Sequence, residues 1–284
     1  MRALAEVVAG VAVAALALAA GCDQPHPIVI CHNANCGEPT DPARDDTLPA
    51  FRESLMLEEG GRPVIDGIEL DSFWRGSDNV CLYAHDPSDF AENTPAIAPA
   101  QELALHFAQP GPISFSDQPF LVLLELKAFV GTSTKDRHTP EQRVLHARCA
   151  WNIYKIVSDA AVASGRDIVV EFQSFAPELL RAVIDTAPGD TPVPYTFGAV
   201  QGVPSPVDDQ TRPLRDFTGL PITDVQVHPL WLLDAQHEAI LTSGAGISFF
   251  WFSTTSEVFA AIRRYHPTAV DTSEARLMRR WLER

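Results

Sequence analysis

Short apolar runs alternate with segments of helical periodicity along most of this 284-residue chain. The apolar runs, which are candidate strands, cover 28–32, 66–72, 120–127, 167–173, 196–200, 222–228, 246–252 and 268–271. Intervals with apolar residues at helical spacing cover 48–58, 141–163, 177–184, 233–241 and 257–264. Strands that alternate with amphipathic helices pair in parallel. Eight such units in about 250 residues predict an α/β fold, the (β/α)8 TIM barrel.

An open doubly wound sheet is the alternative, but such sheets carry a glycine-rich phosphate turn after the first strand, and this chain has none there. The interval from Phe73 to Pro119 is too long for one crossover and contains a strand-like run of its own at 80–85. It predicts an insertion between the second and third strands, on the top face of the barrel. Residues 201–220, rich in proline and aspartate, are predicted to form a loop.

The N-terminus has the composition of an export signal. Arg2 is followed by an unbroken small and apolar run from 7 to 20, too short to span a bilayer comfortably. The sequence LAAGC at 18–22 resembles a bacterial lipobox, although it has Ala19 where that motif usually has leucine. We therefore expect residues 1–21 to be a signal peptide and Cys22 to be lipidated. The mature chain would be a membrane-anchored lipoprotein of the bacterial cell envelope, with plain secretion as the alternative.

Charge excludes one class of partner. The chain has 21 Lys plus Arg against 37 Asp plus Glu, a formal net charge of -16. Binding to a phosphate backbone requires a basic face, and the few basic residues here are scattered. Nucleic acid is therefore not an expected partner.

Four cysteines remain after Cys22, an even number that suits an oxidising compartment. They allow up to two disulfides in three pairings, and we favour Cys31 with Cys36 because a short loop can close there. Their spacing lacks the paired C-x2-C clusters of zinc sites.

Charged side chains stand inside two of the apolar strands. Glu69 and Asp71 share one face of the second strand, and Glu125 and Lys127 share one face of the third, because side chains alternate along a strand. Ionised groups in such strands are costly unless they are paired or bound to a metal. One interpretation is a Glu125 and Lys127 pair that faces water at the barrel mouth. The other is a site for Ca²⁺ or Mg²⁺ with Glu69, Asp71 and Glu125 as hard oxygen ligands.

Two histidines end strand-like segments near these carboxylates. His32 ends the first strand, and His85 ends the run within the predicted insertion. The carboxyl ends of barrel strands are where active sites form. The two histidines therefore suggest a general acid and base pair.

Five short motifs occur in a fixed order: His32, 45–51 (DDTLPAF), 67–71 (GIELD), 85–87 (HDP) and 125–127 (ELK). Their order resembles the glycerophosphodiester phosphodiesterase family, whose pattern is His-Arg-Gly, Glu-Asn-Thr-Leu, Glu-x-Asp, His-Asp and Glu-x-Lys. Three later segments are also similar: Gln173–Phe175, Trp251 and Ala269–Thr272. The resemblance implies a metal-dependent phosphodiester hydrolase on a TIM barrel, with a small-molecule or lipid phosphodiester as its substrate.

The resemblance also implies roles for individual residues. Glu69, Asp71 and Glu125 correspond to the metal ligands, and His32 and His85 to the proton-transfer pair. Lys127 would hold a phosphate oxygen, and Trp251 would contact the substrate. The attacking oxygen would come from water, or from a substrate hydroxyl that first forms a cyclic phosphate.

Two departures keep other functions open. Asn33 stands where the family has arginine, and Asp45-Asp46 stand where it has Glu-Asn. The pair His32-Asn33 is similar instead to phosphoinositide-specific phospholipase C, in which the asparagine is a calcium ligand. The alternatives are thus a phospholipase C-like or phospholipase D-like lipid enzyme, or a barrel without catalysis that serves as a binding lipoprotein.

Overall fold

A computed structural model of the protein describes residues 26–37, 41–85, 92–127, 138–201, 211–250 and 253–284. The eight barrel strands are β1 (Ile28–Cys31), β2 (Gly67–Arg75), β3 (Phe120–Lys127), β4 (Ile168–Ser174), β5 (Tyr195–Val200), β6 (Asp224–Val227), β7 (Gly246–Phe250) and β8 (Ala269–Thr272). Each strand pairs in parallel with the next, and β1 pairs with both β2 and β8, which closes the barrel. The predicted TIM barrel is confirmed.

One helix follows each barrel strand. The helices are α1 (Leu48–Leu55), α2 (Ile97–Phe107), α3 (Pro140–Ser164), α4 (Pro177–Asp185), α5 (Arg212–Asp216), α6 (Asp234–Thr242), α7 (Ser256–Tyr265) and α8 (Ala275–Leu282). The five predicted helices are present with ends shifted by a few residues, whereas α2, α5 and α8 were not predicted. Within the described residues, none of the helices has the length and apolar character needed to cross a membrane.

The insertion between β2 and β3 is smaller than predicted. Strand β2 continues to Arg75 and pairs in antiparallel fashion with a short strand, Val80–Tyr83, so the inserted element is a hairpin on the carboxyl end of β2. The rest of the interval includes α2, which packs against α1 and α3 as the regular second helix of the barrel. Its Pro99 lies in the first helical turn, where proline is tolerated.

The barrel interior differs between its two ends. Toward the amino ends of the strands, Ile30, Leu123 and Ala269 form a small buried apolar cluster. Toward the carboxyl ends, the inward positions of the same strands carry charged and amide side chains. A separate and larger apolar core lies between the barrel and the helices, and Phe172 with Trp151 of α3 is one of its contacts. The structure therefore supports the polar end with an apolar floor.

Two disulfides are present, and one of them is the predicted pair. Cys31–Cys36 spans five residues and closes the turn that carries His32 and Asn33. Cys81–Cys149 spans 68 residues and joins the hairpin strand to α3. The first bond thus restrains a loop at the polar end of the barrel, and the second fixes the hairpin against the outer helices.

Removal of the longer disulfide is expected to destabilise the protein more than removal of the shorter one, because the loss of unfolded-chain entropy grows with loop length. For Cys81→Ala with Cys149→Ala we expect a decrease of about 2–4 kcal/mol in the free energy of unfolding. For Cys31→Ala with Cys36→Ala we expect about 2 kcal/mol or less. Guanidinium denaturation of the two double variants measures both values. Equal losses would show that loop length does not control the effect.

Candidate active site

A cluster of charged side chains lies inside the barrel at the carboxyl ends of its strands. The parallel register places Asp71 of β2 beside Glu125 of β3, and Glu125 beside Gln173 of β4. Alternation along β2 places Glu69 on the same inward face as Asp71. Oxygen atoms of Glu69, Asp71 and Glu125 all lie within 4.8 Å of one another, and all three side chains are buried. The predicted convergence of the three carboxylates is therefore observed.

His32 is held between two carboxylates at the edge of this cluster. Its Nδ1 lies 2.8 Å from Asp271 Oδ2 and 3.0 Å from Glu69 Oε2. Burial lowers the pKa of His32, but the negative charges of Asp271 and Glu69 outweigh burial and hold the pKa well above its ordinary value. Burial raises the pKa of Glu69, and its contact with His32 reverses that shift and lowers the pKa overall. The two side chains thus form a buried ion pair.

Lys127 lies against the other two carboxylates. Its Nζ is 2.7 Å from Glu125 Oε1 and 3.3 Å from Asp71 Oδ2. The side chain is only 7% exposed, so the interpretation of a Glu125 and Lys127 pair that faces water is wrong. Lys127 Nζ also lies 5.9 Å from the centre of the Phe175 ring, at the end of β4. The lysine is paired, as predicted, but within the interior of the barrel mouth.

Sequence reasoning missed two residues of the cluster. Asp271 of β8 contacts His32 across 239 positions of sequence, and Gln173 donates from Nε2 to Glu69 Oε1 at 3.3 Å and to Glu125 Oε2 at 3.4 Å. The sequence contains the same signal for both residues, because each is a polar residue near the carboxyl end of an otherwise apolar strand.

The turn after β1 brings Asn33 to the cluster. Asn33 has φ 46°, a left-handed conformation that asparagine tolerates better than most residues. Its backbone N–H donates to Glu69 Oε2 at 2.8 Å, and its Nδ2 donates to Asp45 Oδ2 at 3.3 Å. Its Oδ1 is buried and accepts no hydrogen bond from the described residues. Asn33, whose backbone contacts Glu69, therefore has one buried oxygen that no described donor occupies.

The cluster carries excess negative charge. Four carboxylates (Glu69, Asp71, Glu125 and Asp271) face two cationic side chains (His32 and Lys127), so the fully charged set sums to -2. Burial raises the pKa of Asp71 well above its usual range, that of Glu125 to about 7 and that of Asp271 to about 6. Asp46, which is buried nearby, adds to the shift at Asp71. One divalent cation would balance the charge of the set.

The donor set fits a hard divalent cation. Three carboxylates from adjacent strands and a buried amide oxygen are ligands that Ca²⁺ and Mg²⁺ prefer. Asp71 Oδ1 is buried and accepts no hydrogen bond from the described residues. Asn33 Oδ1 is in the same state. Both oxygen atoms are therefore available to bind an ion.

The remaining predicted residues lie elsewhere. His85 is exposed and follows the hairpin strand that pairs with β2, so the structure places it outside the buried cluster. Trp251 and Cys22, and with Cys22 the predicted signal peptide, lie outside the described residues. Their assignments stay predictions.

A second pair of buried carboxylates lies in the barrel without joining the cluster. Glu171 accepts a hydrogen bond from Thr196 Oγ1 at 3.2 Å, and Asp224 accepts hydrogen bonds from Ser248 and Thr268. Burial raises the pKa of Glu171 well above its usual range and that of Asp224 to about 6. Because hydroxyl groups satisfy both carboxylates, their replacement alters a buried acid outside the cluster.

Comparison with known proteins supports the fold. The sequence matches no protein-family model and no curated protein. Solved structures do match. A phosphodiesterase of Oleispira antarctica in complex with sn-glycerol-3-phosphate has a TM-score of 0.58 at 12% identity, over 91% of this chain and 98% of that one. Glycerophosphodiester phosphodiesterases of Agrobacterium tumefaciens and Thermotoga maritima have TM-scores of 0.53 and 0.51 at 15% and 17% identity.

These two matches cover 92% and 91% of this chain and 100% and 99% of the other chains. The class that the fold defines is therefore the TIM barrel. Within that class, the chain has the barrel architecture of glycerophosphodiester phosphodiesterases along nearly its whole length. The resemblance that the five motifs indicate thus extends to the fold.

Proposed function

We propose that the protein is a metal-dependent phosphodiester hydrolase that acts on glycerophosphodiesters or on related phospholipid headgroup esters. The observation that carries this proposal is the arrangement around His32. A buried imidazole, held by Asp271 and Glu69, adjoins three converging carboxylates at the carboxyl ends of the strands. This arrangement combines a proton-transfer group with a cation site, and a barrel mouth is the usual place for both.

The cation would be Ca²⁺ or Mg²⁺, held by Glu69, Asp71 and Glu125, with Asn33 Oδ1 as a further ligand. A bound divalent cation supplies charge neutralisation at a phosphate group and stabilises the negative charge that develops during hydrolysis. Lys127 would contribute a second positive charge beside it, directed at a non-bridging phosphate oxygen.

His32 is proposed to act as the general acid. Its two carboxylate partners both contact Nδ1, so a proton passes to a substrate through Nε2. Because those partners raise the pKa of the ring, His32 carries this proton at neutral pH and can give it to a leaving alkoxide. His85, from the hairpin at the barrel mouth, is proposed as the group that accepts the proton of the attacking oxygen. That oxygen belongs to water or to a hydroxyl of the substrate.

A phospholipase C-like reaction is the second candidate, and Asn33 favours it. The buried amide oxygen of Asn33 accepts no hydrogen bond within the described part of the chain, which suits the calcium-ligand role that asparagine has in the phosphoinositide enzymes. A phospholipase D-like activity would use the same cluster. A barrel without catalysis, kept as a binding lipoprotein, would not need His32 to be charged and buried between two carboxylates.

The location and the outer substrate contacts complete the proposal. An acylated Cys22 would anchor the mature chain, residues 22–284, to the bacterial cell envelope, and Trp251 would contact the substrate. Labelling with radioactive palmitate tests the anchor, because Cys22→Ser would abolish the label.

A substrate panel tests the function. Glycerophosphocholine, phosphatidylinositol and sphingomyelin are each incubated with purified protein and Ca²⁺ or Mg²⁺, with and without chelator. We expect turnover of glycerophosphocholine. Turnover of phosphatidylinositol alone would favour the phospholipase C-like reaction, and turnover of sphingomyelin alone the phospholipase D-like reaction. Failure with all three would exclude enzymatic activity on these substrate classes.

Replacement of Asp271 by asparagine is expected to shift the alkaline limb of the pH profile. Hydrolysis requires protonated His32, so kcat/KM falls as pH rises through the raised pKa of that ring. Asp271→Asn removes one of the charges that raise this pKa, and the limb should move to lower pH by about one unit or more. The control is Asp224→Asn, a buried carboxylate outside the cluster, which should leave the limb in place. A uniform loss of rate with no shift would indicate a purely structural role for Asp271.

A further inference from the structure

A cavity of about 720 Å³ opens at the end of the barrel opposite the carboxylate cluster. Its lining includes Ile28 at the start of β1, Gly246 at the start of β7 and Thr268 just before β8, so it lies at the amino ends of the strands. The proposed catalytic groups lie at the carboxyl ends. Ligand pockets usually have volumes of about 300–1,000 Å³. The cavity therefore has the size of a ligand site, and it is separate from the proposed active site.

The walls of the cavity are mainly apolar. Helices α6, α7 and α8 contribute the large hydrophobic side chains of Leu241, Phe259, Ile262 and Leu282. Strand β7 contributes Ile247. Ile247, Ile262 and Leu282 are buried, whereas Leu241 is 47% exposed. A hydrocarbon chain that enters between the helices would itself leave water, at a gain of about 0.8 kcal/mol for each buried CH₂ group.

Apart from one tyrosine, the ionisable side chains that line the cavity are all basic. Among the described residues that line it, the basic side chains are Arg263, Arg284, His26, His237 and His266, and none is aspartate or glutamate. This composition is unusual in a chain with 37 acidic residues and a net charge of -16. The nearest buried carboxylate beneath the floor is Asp224, whose oxygens accept hydrogen bonds from Ser248 and Thr268. Arg263 and Arg284 therefore offer positively charged partners to an anionic group at the cavity.

Arg263 lies where the basic side chains meet the apolar walls of the cavity. Its guanidinium carbon lies 4.5 Å from the centre of the Phe259 ring, and both residues line the cavity. Arg263, Arg284 and His266 are exposed, so the basic groups stand at the mouth while the apolar residues lie deeper. A ligand that matches both regions has an anionic head and a single hydrocarbon tail.

From this match of charge and shape, we propose that the cavity at the amino ends of the strands binds a single-chain amphiphile with an anionic head. The tail lies between α6, α7 and α8, and Arg263 and Arg284 bind the head. Such a site would let the barrel hold a lipid at the end opposite its proposed catalytic mouth.

Calorimetric titration of the purified full chain with dodecyl phosphate, below its micelle concentration, tests the proposal. The titrations contain a chelator, so the divalent cation that the proposed active site requires is absent. We expect saturable binding at one site, and binding at least about tenfold weaker for dodecanol and for inorganic phosphate, which each carry half of the ligand. This result is independent of whether the protein hydrolyses phosphodiesters.

Two pairs of variants locate the site. Arg263→Gln with Arg284→Gln should weaken binding by about tenfold or more, because hydrogen bonds to charged groups are lost, while Arg181→Gln on the exposed surface of α4 should not. Leu241→Glu should abolish binding by placing a negative charge in the wall, while Leu105→Glu, at an exposed position of α2, should not. No saturable binding, equal binding of dodecanol, or unchanged binding by the Leu241→Glu protein would overturn the proposal.

Discussion

Replacement of His32 is expected to lower kcat for phosphodiester hydrolysis by about 10²–10⁴-fold, the usual contribution of a general acid. The loss follows from its position, because it is the cationic side chain between Asp271 and Glu69. His32→Ala would also leave those two buried carboxylates without a counter-charge, which destabilises a protein. His32→Gln removes the same positive charge but is the better variant, since its amide can still donate a hydrogen bond to Asp271.

The kinetics of His32→Gln are measured beside those of His237→Gln, a histidine of α6 at the opposite end of the barrel whose Nε2 contacts the Tyr265 carbonyl oxygen. We expect the His237 variant to keep wild-type kcat, and the His32 variant to lose it while its circular dichroism spectrum shows that it remains folded. If the folded His32→Gln protein retained kcat within about threefold of wild type, well inside the range expected of a general acid, His32 would not be the acid. His85→Ala, measured in the same way, tests the proposed base.

Removal of divalent cations is expected to abolish both hydrolysis and binding of the phosphodiester. The protein carries a net charge of -16 and the phosphodiester group of the proposed substrate is an anion, so attraction must come from a local positive centre. In the metal-free protein the cationic side chains of the cluster are Lys127 and His32, and their carboxylate partners already neutralise both. We expect turnover to fall by at least about 100-fold in chelator and to return with Ca²⁺ or Mg²⁺.

The same cation should stabilise the folded protein, because it relieves repulsion among the buried carboxylates. At a concentration of about 100 times Kd the expected gain is about 2.7 kcal/mol in the free energy of unfolding. The double variant Asp71→Asn with Glu125→Gln should lose both the stabilisation by the cation and the hydrolysis of the phosphodiester. Glu171→Gln, which alters a buried carboxylate outside the cluster, should keep both. A gain that persists in the double variant would place the cation elsewhere.

Alternation along the chain was enough to predict all eight barrel strands, because buried parallel strands are short, continuous apolar runs. The same alternation predicted the helices less completely. Helix α2 has prolines near its start and lies in an interval that the hairpin lengthens, so its helical pattern was assigned to an insertion. Helix α5 has only five residues, too few for periodicity to be evident.

Within the site, sequence reasoning found the residues whose partners lie on the same strand. Glu69 with Asp71 and Glu125 with Lys127 are two positions apart, so alternation alone places each pair on one face. Asp271 could not be found in this way, because its partner His32 is 239 positions distant and only closure of the barrel brings them together. The unpaired oxygen of Asn33 likewise depends on the turn after β1.

Phosphorus NMR of glycerophosphocholine, incubated with the purified protein and Ca²⁺ or Mg²⁺, tests the proposed hydrolysis most directly. We predict that the diester resonance disappears and a glycerol phosphate monoester resonance appears with the wild-type protein, and that neither change occurs with His32→Gln or in the presence of chelator. A diester resonance that persists with the wild-type protein under both cations, or that disappears equally with His32→Gln, would contradict the proposed site and its chemistry.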